Sequence, residues 1–533
     1  MNQMTPPPKI EIIPPSAPFS EAQRSWLNGF FAGLLSTDGP MPLTAEQGAG
    51  LLQPAGDGDD GEAPWHDQTM PIAERMKLAG GRPLRRRMMA AMAQQDCGQC
   101  GYNCNDYSDA IASKAEARLN LCVPGGKETA RMLKALHEEL EKAPAASAPA
   151  SAPVASIAGP STEPGRSRDN PIAATFVSRR LLNRPGSEKE TWHIDFDLSG
   201  CGLDYVVGDS FGIFARNDLG HVDQIIALLG ASHTTQVRGR TLREVLQDEV
   251  SLAPAPDSLF ELLSFITGGP QREKARALAQ GEDPDGDAAT LDVMAALQKF
   301  SGARPHPEAF VEALEPLQPR LYSISSSHNA TPGKLSLTVD CVRYVIGKRK
   351  RLGLASTFLA ERINPGDQVE VYIQKAHGFA LPQDAGTPII MIGPGTGIAP
   401  FRAFLQDRRA IGATGKNWLF FGHQRSDCDF FYGDELNAMK ASGLLTRLSL
   451  AWSRDGDKKF YVQDRMREVG RELWNWIAEG ANIYICGDAK RMAKDVERAL
   501  VDIVAQFGAR TIDEAVLFVA DLKKKGRFQQ DVY

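Results

Sequence analysis

The sequence predicts a multidomain protein in which a helical cysteine-containing module, a linker, a strand-rich domain and a parallel α/β domain follow one another. Three observations support this prediction. Four of the eight cysteines fall between residues 97 and 122, a run rich in Ala, Pro, Ser and Gly covers residues 143–170, and apolar strands alternate with helices after residue 386. The length of 533 residues also indicates several domains, at roughly 100–200 residues each.

The composition excludes several functional classes. The formal net charge of −6 argues against a protein that grips nucleic acids or anionic membranes. No apolar stretch reaches about 18 residues, so we expect no membrane span, and the N-terminus lacks the pattern of a signal peptide. We therefore expect a cytoplasmic protein whose cysteines are kept reduced.

The first third of the chain is predicted to contain little packed structure outside the cysteine module. Residues 1–69 are assigned to partner or oligomer contacts, since the apolar run Trp26–Leu35 predicts one short helix. Packing of that helix within the chain is the alternative. Residues 70–142 are predicted to be helical. Residues 143–170 cannot bury enough apolar surface to fold, so we expect a linker that lets the cysteine module move.

Two larger domains are predicted beyond the linker. Residues 171–385 alternate apolar and polar residues as strands do, with a mostly helical pattern at about residues 216–312. In residues 386–533, four short apolar segments, PIIMIG, NWLFFG, RLSLAW and NIYICG, alternate with helical stretches. That alternation predicts a parallel sheet covered by helices.

The cysteine spacing predicts a metal centre. Cys97, Cys100 and Cys104 lie close together, and Cys122 follows just before Pro-Gly-Gly. Zinc sites commonly pair two short Cys-x2-Cys segments, whereas three clustered cysteines with a later fourth favour a [4Fe–4S] cluster. A zinc site and plain buried thiols remain the alternatives.

Two segments of the strand-rich domain offer groups for a flavin nucleotide. Arg320-Leu-Tyr-Ser323 ends a predicted strand with a guanidinium, an aromatic face and a hydroxyl, which suit a pyrophosphate and the polar edge of a flavin. Alone, this pattern is also typical of an ordinary edge strand. Gly353-Leu-Ala-Ser356 follows at the start of a predicted helix, where free N–H groups suit a pyrophosphate.

The α/β domain carries signals for a second nucleotide. The strand PIIMI leads into Gly393-Pro-Gly-Thr-Gly397, a loop typical of dinucleotide phosphate turns, although it is not GxGxxG. Ser453 and Arg454 follow the strand LSLAW, with Lys459 and Tyr461 close behind. A hydroxyl and two cations at that position suit a ribose 2′-phosphate and therefore NADPH. A solvated basic loop is the alternative.

In this order, the motifs from about residue 171 to Tyr533 resemble the reductase module of the flavoprotein (alpha) subunits of NADPH–sulfite reductases. These subunits are ferredoxin–NADP-reductase-like diflavin proteins. The resemblance implies an antiparallel β-barrel FAD domain with a helical connecting insertion, followed by an α/β NADP domain. The cysteine segment resembles the small iron–sulfur domains of electron-transport subunits, with Asn105 where the third cysteine usually stands.

The resemblance also assigns binding residues by motif. The residues implied for FAD are Arg320, Leu321, Tyr322, Ser323, Thr338, Val339, Tyr344, Gly353, Leu354, Ala355 and Ser356. Those implied for the nicotinamide dinucleotide are Gly395, Thr396, Ser453, Arg454, Lys459, Phe460, Tyr461, Val462, Gln463 and Asp495. Asp340 is left out, because relatives tend to have Gly there. The implied ligands of the [4Fe–4S] cluster are Cys97, Cys100, Cys104 and Cys122.

Four residues match the neighbourhood of hydride transfer. The resemblance implies that Ser323, Cys486 and Asp531 orient the reacting rings, and that Tyr533 stacks on the flavin. None is expected to be a nucleophile, since the cofactors carry the hydride chemistry and the protein aligns them.

The resemblance finally implies an electron path. Related subunits carry an FMN-binding flavodoxin domain before the linker, where this sequence has the cysteine module. The implied path therefore runs from NADPH to FAD, to the cluster and to a sirohaem hemoprotein that reduces sulfite to sulfide. The alternatives are a nitrate- or nitrite-reducing partner and a zinc-stapled adaptor with diaphorase activity. No nucleic-acid or membrane partner is expected, and a homo-oligomer is left open.

Overall fold

The computed structural model describes residues 63–68, 70–95, 100–142, 163–376, 378–489 and 491–533. The predictions for Trp26–Leu35, for Cys97 and for residues 143–162 of the linker lie outside these residues. Among the helices that the structure does describe, none has the length and apolar character needed to cross a membrane.

The cysteine module, residues 63–142, is helical in its described part. Its helices are α1 (Ile72–Leu78), α2 (Leu84–Ala91), α3 (Cys104–Ala112) and α4 (Gly126–Lys142). The side chain of Asn103 begins α3 by accepting a 2.7 Å hydrogen bond from the backbone N–H of Asp106, which satisfies a free donor of the first turn. Met88, Tyr107 and Leu133 are fully buried in the small core that the helices enclose.

The next domain is built on antiparallel strands, as predicted. Its strands are β1 (Ile172–Leu181), β2 (Thr191–Asp197), β3 (Ser210–Ile213), β4 (Gln236–Val237), β5 (Arg240–Thr241), β6 (Arg320–Ser323), β7 (Lys334–Asp340), β8 (Arg343–Ile346), β9 (Arg349–Leu352) and β10 (Gln368–Gln374). Six of them form one sheet in the order β6-β3-β10-β1-β2-β7, and every neighbouring pair is antiparallel. A bridge between Ile324 and Leu337 joins the two ends and closes the barrel.

A helical insertion lies between β3 and β6 and has its own apolar core. Its helices are α5 (Leu219–Leu229), α6 (Leu242–Asp248), α7 (Asp257–Ile266), α8 (Gly269–Ala279), α9 (Val293–Lys299) and α10 (Pro307–Glu312). After the hairpin β8–β9, the barrel domain adds the short helix α11 (Leu354–Thr357). The insertion therefore separates two barrel strands in the sequence, but it packs around a core of its own and leaves the core of the barrel continuous.

The last domain is a parallel α/β sheet, which confirms the prediction from the alternating pattern. Its strands are β11 (Ile389–Ile392), β12 (Asn417–His423), β13 (Arg447–Trp452), β14 (Asn482–Gly487) and β15 (Phe528–Val532). Its helices are α12 (Ile398–Ala410), α13 (Gly433–Ala441), α14 (Val462–Glu468), α15 (Gly470–Ala478), α16 (Met492–Phe507) and α17 (Ile512–Lys524). The order β13-β12-β11-β14-β15 changes direction between β11 and β14. Ligands of such sheets bind beyond the carboxyl ends of the strands at that point.

Buried polar contacts fix the barrel against the α/β domain. The hydroxyl of Tyr432 lies 3.0 Å from Nδ1 of His193 and 2.7 Å from Oγ1 of Thr338, two barrel residues. The guanidinium of Arg402 lies 4.7 Å from the centre of the Tyr432 ring and donates to the backbone oxygen of Ser325. The relative position of the two domains is therefore set by specific hydrogen bonds.

The cysteine module packs against the helical insertion in this structure. Arg131 makes a two-pronged ion pair with Asp257 at 2.6 and 2.8 Å, and Lys127 approaches the same carboxylate at 3.4 Å. Asn120 also donates to the carboxylate of Glu315. The sequence predicted a module free to move on its linker, and these contacts show that the module also has a docking surface.

The predicted end of the linker at residue 170 needs a correction. The backbone oxygen of Gly165 accepts a 2.8 Å hydrogen bond from Ile373 in β10, and Arg166 donates to the backbone oxygen of Asp204 at 2.7 Å. Gly165 has a positive φ of 72°, and a side chain there would collide with Leu203 and Ile172. The packed chain therefore includes residues 163–170, because this turn forms hydrogen bonds with the barrel.

Candidate functional site

One large cavity collects the residues predicted to bind FAD. It has a volume of about 1500 Å³ and is lined by the barrel, the insertion and the end of β15. Pockets for drug-sized ligands measure roughly 300–1000 Å³, so this one suits an extended dinucleotide. The predicted residues on its wall are Arg320, Leu321, Tyr322, Ser323, Thr338, Val339, Tyr344, Gly353, Leu354, Ala355, Ser356, Thr396, Asp531 and Tyr533.

Arg320 brings a positive charge into this cavity. Among the described residues, its guanidinium contacts only carbonyl oxygens, those of Gln318 and Pro319, each at 3.3 Å. Burial lowers the pKa of Arg320, because removal from water disfavours the charged form. A desolvated cation without a carboxylate partner fits a ligand that supplies its own negative charge, such as a pyrophosphate.

The turn before α11 is shaped by close packing. A side chain on Gly353 would lie 2.6 Å from Oγ of Ser356 and 2.8 Å from the Cβ of Val342, so no larger residue fits without movement. The hydroxyl of Ser356 accepts a 3.1 Å hydrogen bond from the backbone N–H of Val342. Ser356 therefore holds the turn against the segment that precedes β8, in addition to any contact that it makes with a ligand.

Three of the predicted hydride-transfer residues meet at one carboxylate: Ser323 and Asp531 line the cavity, and Cys486 is fully buried next to Asp531. Ser323, at the end of β6, donates a 2.5 Å hydrogen bond to Oδ2 of Asp531 in β15. The thiol of Cys486 donates to the same oxygen at 3.6 Å from the neighbouring strand β14. The carboxylate of Asp531 thus contacts residues that lie 208 and 45 positions away from it in the sequence.

Burial controls the protonation of this group. It raises the pKa of Asp531, although the hydrogen bonds from Ser323 and Cys486 oppose the shift. Burial and the nearby carboxylate also raise the pKa of Cys486 well above its usual value, so the sulfur remains a thiol at neutral pH. A thiol with no tendency to ionise suits packing against a ring and does not suit nucleophilic attack.

Tyr533 is anchored to the sheet by its backbone. Its N–H donates to the backbone oxygen of Gly487 at 3.0 Å, and its own carbonyl accepts from Ala489 at 3.1 Å. The phenol oxygen lies 2.7 Å from Oγ1 of Thr396, while 56% of the residue remains exposed towards the cavity. These contacts hold the backbone of Tyr533 in the sheet and its ring at the cavity.

The glycine loop packs tightly on β14. A side chain on Gly397 would lie 2.1 Å from the backbone oxygen of Cys486, and one on Gly393 would lie 2.3 Å from the oxygen of Gly397. Gly395 has a positive φ of 60°. The loop can therefore approach β14 at the change of strand order only because these positions lack side chains.

The residues predicted to read a 2′-phosphate lie outside the large cavity, on the loop after β13. The backbone N–H groups of Ser453 and Arg454 donate to the oxygens of His423 and Gln424, which holds the loop beside the end of β12. The guanidinium of Arg454 pairs with Glu188 of the barrel domain at 2.5 Å. Lys459, which follows on this loop, is exposed.

The remaining predicted residues of this group differ in accessibility. Tyr461 is exposed, and Gln463 is half-buried at the start of α14. Val462 is buried in the core of the domain, and Phe460 packs partly on the same core. The side chain of Val462 therefore serves the fold, and that of Phe460 does so in part. Asp495 lies in the first turn of α16.

Three of the four predicted metal ligands face one small cavity. Cys100, Cys104 and Cys122 line it together with apolar residues of the module. Cys97 lies outside the described residues, and the described residues alone contain no group of three or more His, Cys, Asp or Glu side chains that could hold a metal ion. The backbone N–H groups of Ala93 and Gly125 donate to the sulfur of Cys122. Burial raises the pKa of the Cys122 thiol and these donors oppose the shift, so they would help this sulfur to act as a thiolate ligand of a metal.

The small cysteine cavity adjoins the large cavity. Gln95 and Pro124 line both of them. Pro124 is two residues from Cys122, so three of the predicted metal ligands and the predicted FAD residues line neighbouring cavities that share these two residues. Sequence reasoning missed this neighbourhood, since no motif links residue 124 to residues of the barrel.

The sequence also did not predict that the helical insertion contributes residues to the wall of the large cavity. Its polar residues on the wall of the large cavity include Asn217, His221, Gln224, Asp292, Gln298 and Lys299. They come from separate helices and turns and form no contiguous motif. Only the three-dimensional packing of the insertion on the barrel brings them together.

Two domain families match this part of the chain. Residues 164–301 and 240–358 match the family described as FAD binding domain, and residues 391–498 match the family described as Oxidoreductase NAD-binding domain. The first match begins within the segment that the sequence assigned to the linker, in agreement with the packing of residues 163–170. The fold and the cavity therefore define an oxidoreductase module that consists of an FAD-binding and an NAD-binding domain.

This module is similar to that of the curated proteins named Sulfite reductase (NADPH) flavoprotein alpha-component. The chain is 42% identical over 367 residues to the protein of Photorhabdus laumondii. It is 43% identical over 376 residues to that of Klebsiella pneumoniae and over 377 residues to that of Escherichia coli O1:K1. The matches cover 68–69% of this chain but only 61% of the length of each relative.

The raised pKa of Asp531 predicts a pH-dependent effect of Asp531→Asn. The folded state binds the carboxyl proton more tightly than the unfolded chain, so Asp531 contributes most stability below the usual carboxyl pKa of about 4. This contribution is lost as the pH rises through the raised value. We expect the melting temperature of the variant, relative to the unchanged protein, to increase between about pH 4 and pH 8.

Asp521, whose side chain is 46% exposed, provides the control. Asp521→Asn, which removes a carboxylate paired with Lys525 at 2.7 Å, should show no such gain. A difference between Asp531→Asn and the unchanged protein that stays constant with pH would contradict the raised pKa.

Proposed function

We propose that the chain is an NADPH-dependent reductase of the sulfite reductase type, which passes electrons from NADPH through FAD to a [4Fe–4S] cluster and on to a partner hemoprotein. The observation that carries this proposal is the meeting of Ser323, Cys486 and Asp531 at the wall of a cavity that also contains Arg320. We infer that the protein works in the cytoplasm.

FAD is proposed to lie in the large cavity. There Arg320 supplies charge to the pyrophosphate, and the turn at Gly353 permits close approach of the backbone. FAD, when bound, supplies the capacity to accept a hydride and to release single electrons. Ser323 and Asp531 would hold a polar, desolvated edge of the site, and the buried thiol of Cys486 would support the Asp531 carboxylate by donating to it from the neighbouring strand.

The cysteine module is proposed to take single electrons next. Cys97, Cys100, Cys104 and Cys122 would hold the cluster, and the described three face one cavity. The wall shared through Gln95 and Pro124 supports transfer between flavin and cluster without a further carrier. This arrangement favours the relay over the alternative of a zinc-stapled adaptor. A structural zinc site does not need to lie next to the flavin cavity, whereas an electron acceptor does.

The partner is proposed from the relatives. The relatives are named as flavoprotein components of an NADPH sulfite reductase. A sirohaem hemoprotein that reduces sulfite is therefore the expected electron acceptor. Reconstitution of the chain with a sulfite-reducing or a nitrite-reducing hemoprotein tests this assignment. NADPH-dependent sulfide formation supports it, and electron delivery to the nitrite-reducing partner alone would contradict it.

Serine variants of the cluster ligands test the order of the relay. Cys100→Ser, Cys104→Ser or Cys122→Ser should abolish electron delivery to the hemoprotein, while NADPH-driven reduction of FAD and of ferricyanide persists. The control is Cys201→Ser, since Cys201 lies in the barrel domain and donates to the oxygen of Leu198. Iron and sulfide analysis separates a cluster from zinc. Loss of FAD reduction in a folded ligand variant would refute the order.

Arg454→Ala tests coenzyme choice. A charge-assisted hydrogen bond contributes about 1.5–3 kcal/mol, so NADPH binding should weaken about 10–100-fold while NADH binding hardly changes. The matched variant is Glu188→Gln, which frees Arg454 from its partner and should tighten NADPH binding modestly. Titration of both coenzymes measures the effects. Equal weakening of NADPH and NADH by Arg454→Ala would mean that Arg454 does not read the phosphate.

Tyr533→Ala tests the proposed stacking on the flavin. A ring on the flavin blocks the nicotinamide, and offset stacking contributes only about 0.5–1.5 kcal/mol, so the ring can be displaced in each turnover. The variant should keep FAD, alter its absorption and fluorescence, bind nicotinamide more tightly and use NADH better. Tyr533→Phe keeps the ring, loses the contact with Thr396 and should behave like the unchanged protein. An unchanged flavin spectrum in Tyr533→Ala would refute stacking.

A further inference from the structure

The last residue of β12 is a histidine that none of the predicted sites includes. His423 ends this strand, and its side chain is 11% exposed. Its Nδ1 lies 3.1 Å from Oδ2 of Asp429, whose side chain is fully buried. The ring also packs on the ring of Phe431, with 4.8 Å between the ring centres. His423 is therefore held with one nitrogen towards a buried carboxylate.

Asp429 is itself fixed by the barrel domain. Its Oδ1 accepts hydrogen bonds from Nδ2 of Asn183 at 2.8 Å and from Oγ of Ser187 at 2.5 Å. Its Oδ2 accepts one from the backbone N–H of Arg425 at 3.1 Å. Burial raises the pKa of Asp429, but the donors outweigh this effect, so the group is a carboxylate at neutral pH. A carboxylate that faces Nδ1 keeps a hydrogen on this nitrogen and leaves Nε2 for another partner.

The other edge of the imidazole ring faces the glycine loop. A side chain on Gly395 would lie 3.7 Å from Cδ2 and 4.0 Å from Nε2 of His423. Gly395 begins the short turn that leads into α12, where free backbone N–H groups suit a phosphate. Nε2 and the glycine loop therefore lie side by side at the carboxyl ends of their strands.

The order of the strands places His423 below the middle of the coenzyme. Arg454 follows β13, Cys486 lies near the end of β14, and β12 and β11 lie between these two strands. The proposed sites for the 2′-phosphate and the nicotinamide are thus three strand spacings apart, or roughly 14 Å at about 4.8 Å per spacing. A dinucleotide that reaches both sites crosses the ends of β12 and β11. Its diphosphate joins the two nucleosides, so it passes over His423 and Gly395.

We propose that Nε2 of His423 binds the diphosphate of the nicotinamide coenzyme, and that the ring takes up a proton from solvent when the coenzyme binds. The proposal rests on the proposed function. A neutral ring with its hydrogen on Nδ1 presents a lone pair at Nε2, which repels a phosphate oxygen. The protonated ring donates from both nitrogens. It then lies between two anions, Asp429 and the diphosphate, with a charge-assisted contact on each side.

The charges around the ring give the direction of the pH dependence. Burial lowers the pKa of His423, and the charge of Lys189 acts in the same direction, while the carboxylates of Asp429 and Asp340 oppose the shift. The ring is therefore mostly neutral at about pH 7.5 before the coenzyme binds. A bound phosphate raises the pKa of His423, because a nearby anion favours the charged form. The contribution of His423 to coenzyme affinity should thus increase as the pH falls and vanish at high pH.

His423→Gln in the full chain tests this role by calorimetric titration with NADP⁺. We expect about tenfold weaker binding at about pH 6.5 and a loss that shrinks towards about pH 9. Titration in two buffers with different enthalpies of ionisation counts the protons taken up, and the variant should take up fewer than the unchanged protein. Adenosine 2′-monophosphate has no diphosphate, so its affinity should not change in the variant.

Two further variants serve as controls. His423→Lys keeps a positive charge at this position, so it should bind NADP⁺ about as tightly as the unchanged protein at about pH 6.5 and lose the pH dependence. It also gives a reading if His423→Gln does not fold. His233→Gln removes an exposed histidine of the insertion, which lies 3.6 Å from Asp223, and should alter neither the affinity nor the proton uptake.

The outcomes separate this inference from the proposed function. An unchanged affinity for NADP⁺ in folded His423→Gln, or a loss that does not vary with pH, would overturn the inference. An equal loss for adenosine 2′-monophosphate would also overturn it, because His423 would then act on the 2′-phosphate end. In each of these results the unchanged protein still binds NADP⁺, so the proposed function stands. If the unchanged protein does not bind NADP⁺, the proposed function fails, and the inference fails with it.

Discussion

The carboxylate of Asp531 joins the two larger domains at the wall of the cavity, and the arrangement of the site depends on it. It accepts a hydrogen bond from Ser323 of the barrel and one from Cys486 of the sheet. The parallel pairing of β14 and β15 places Cys486 directly opposite Asp531. Because β15 continues straight into Tyr533, the same pairing also brings the tyrosine ring to the cavity. One strand register thus positions the carboxylate, the thiol and the ring.

Uncompensated positive charge is the second recurring feature. Arg320 enters the large cavity with only carbonyl partners among the described residues. Arg454 differs, since the partly exposed Glu188 pairs with it and can give way to a stronger anion. Both positions would gain stability from an anionic group, which the proposed function supplies as a pyrophosphate at Arg320 and a 2′-phosphate at Arg454.

The sequence predicted best those features that depend on neighbouring residues. The strand Arg320–Ser323 and the turn at Gly353, each a local motif with its own backbone requirement, both line the large cavity, and their role in binding FAD stays a prediction. The parallel sheet followed from its alternating pattern. By contrast, Tyr432 adopts a positive φ of 55° and bonds His193 across 239 residues of sequence, and no local pattern indicates such a contact. The side chain of Val462, taken as a cofactor residue from its motif, is instead buried in the core.

The sequence also did not predict that the cysteine module docks on the helical insertion. The nature of these contacts bears on the proposed relay. The two cations that meet Asp257, Lys127 and Arg131, are 32% and 42% exposed. Such partly exposed pairs each contribute at most about 1 kcal/mol, so they hold the module weakly. In the proposed relay, a hydride would deliver two electrons, whereas a [4Fe–4S] cluster would accept them one at a time. Docking through partly exposed contacts beside the large cavity, combined with the predicted Ala/Pro/Ser-rich linker, would let the proposed cluster receive an electron in the docked position and release it elsewhere.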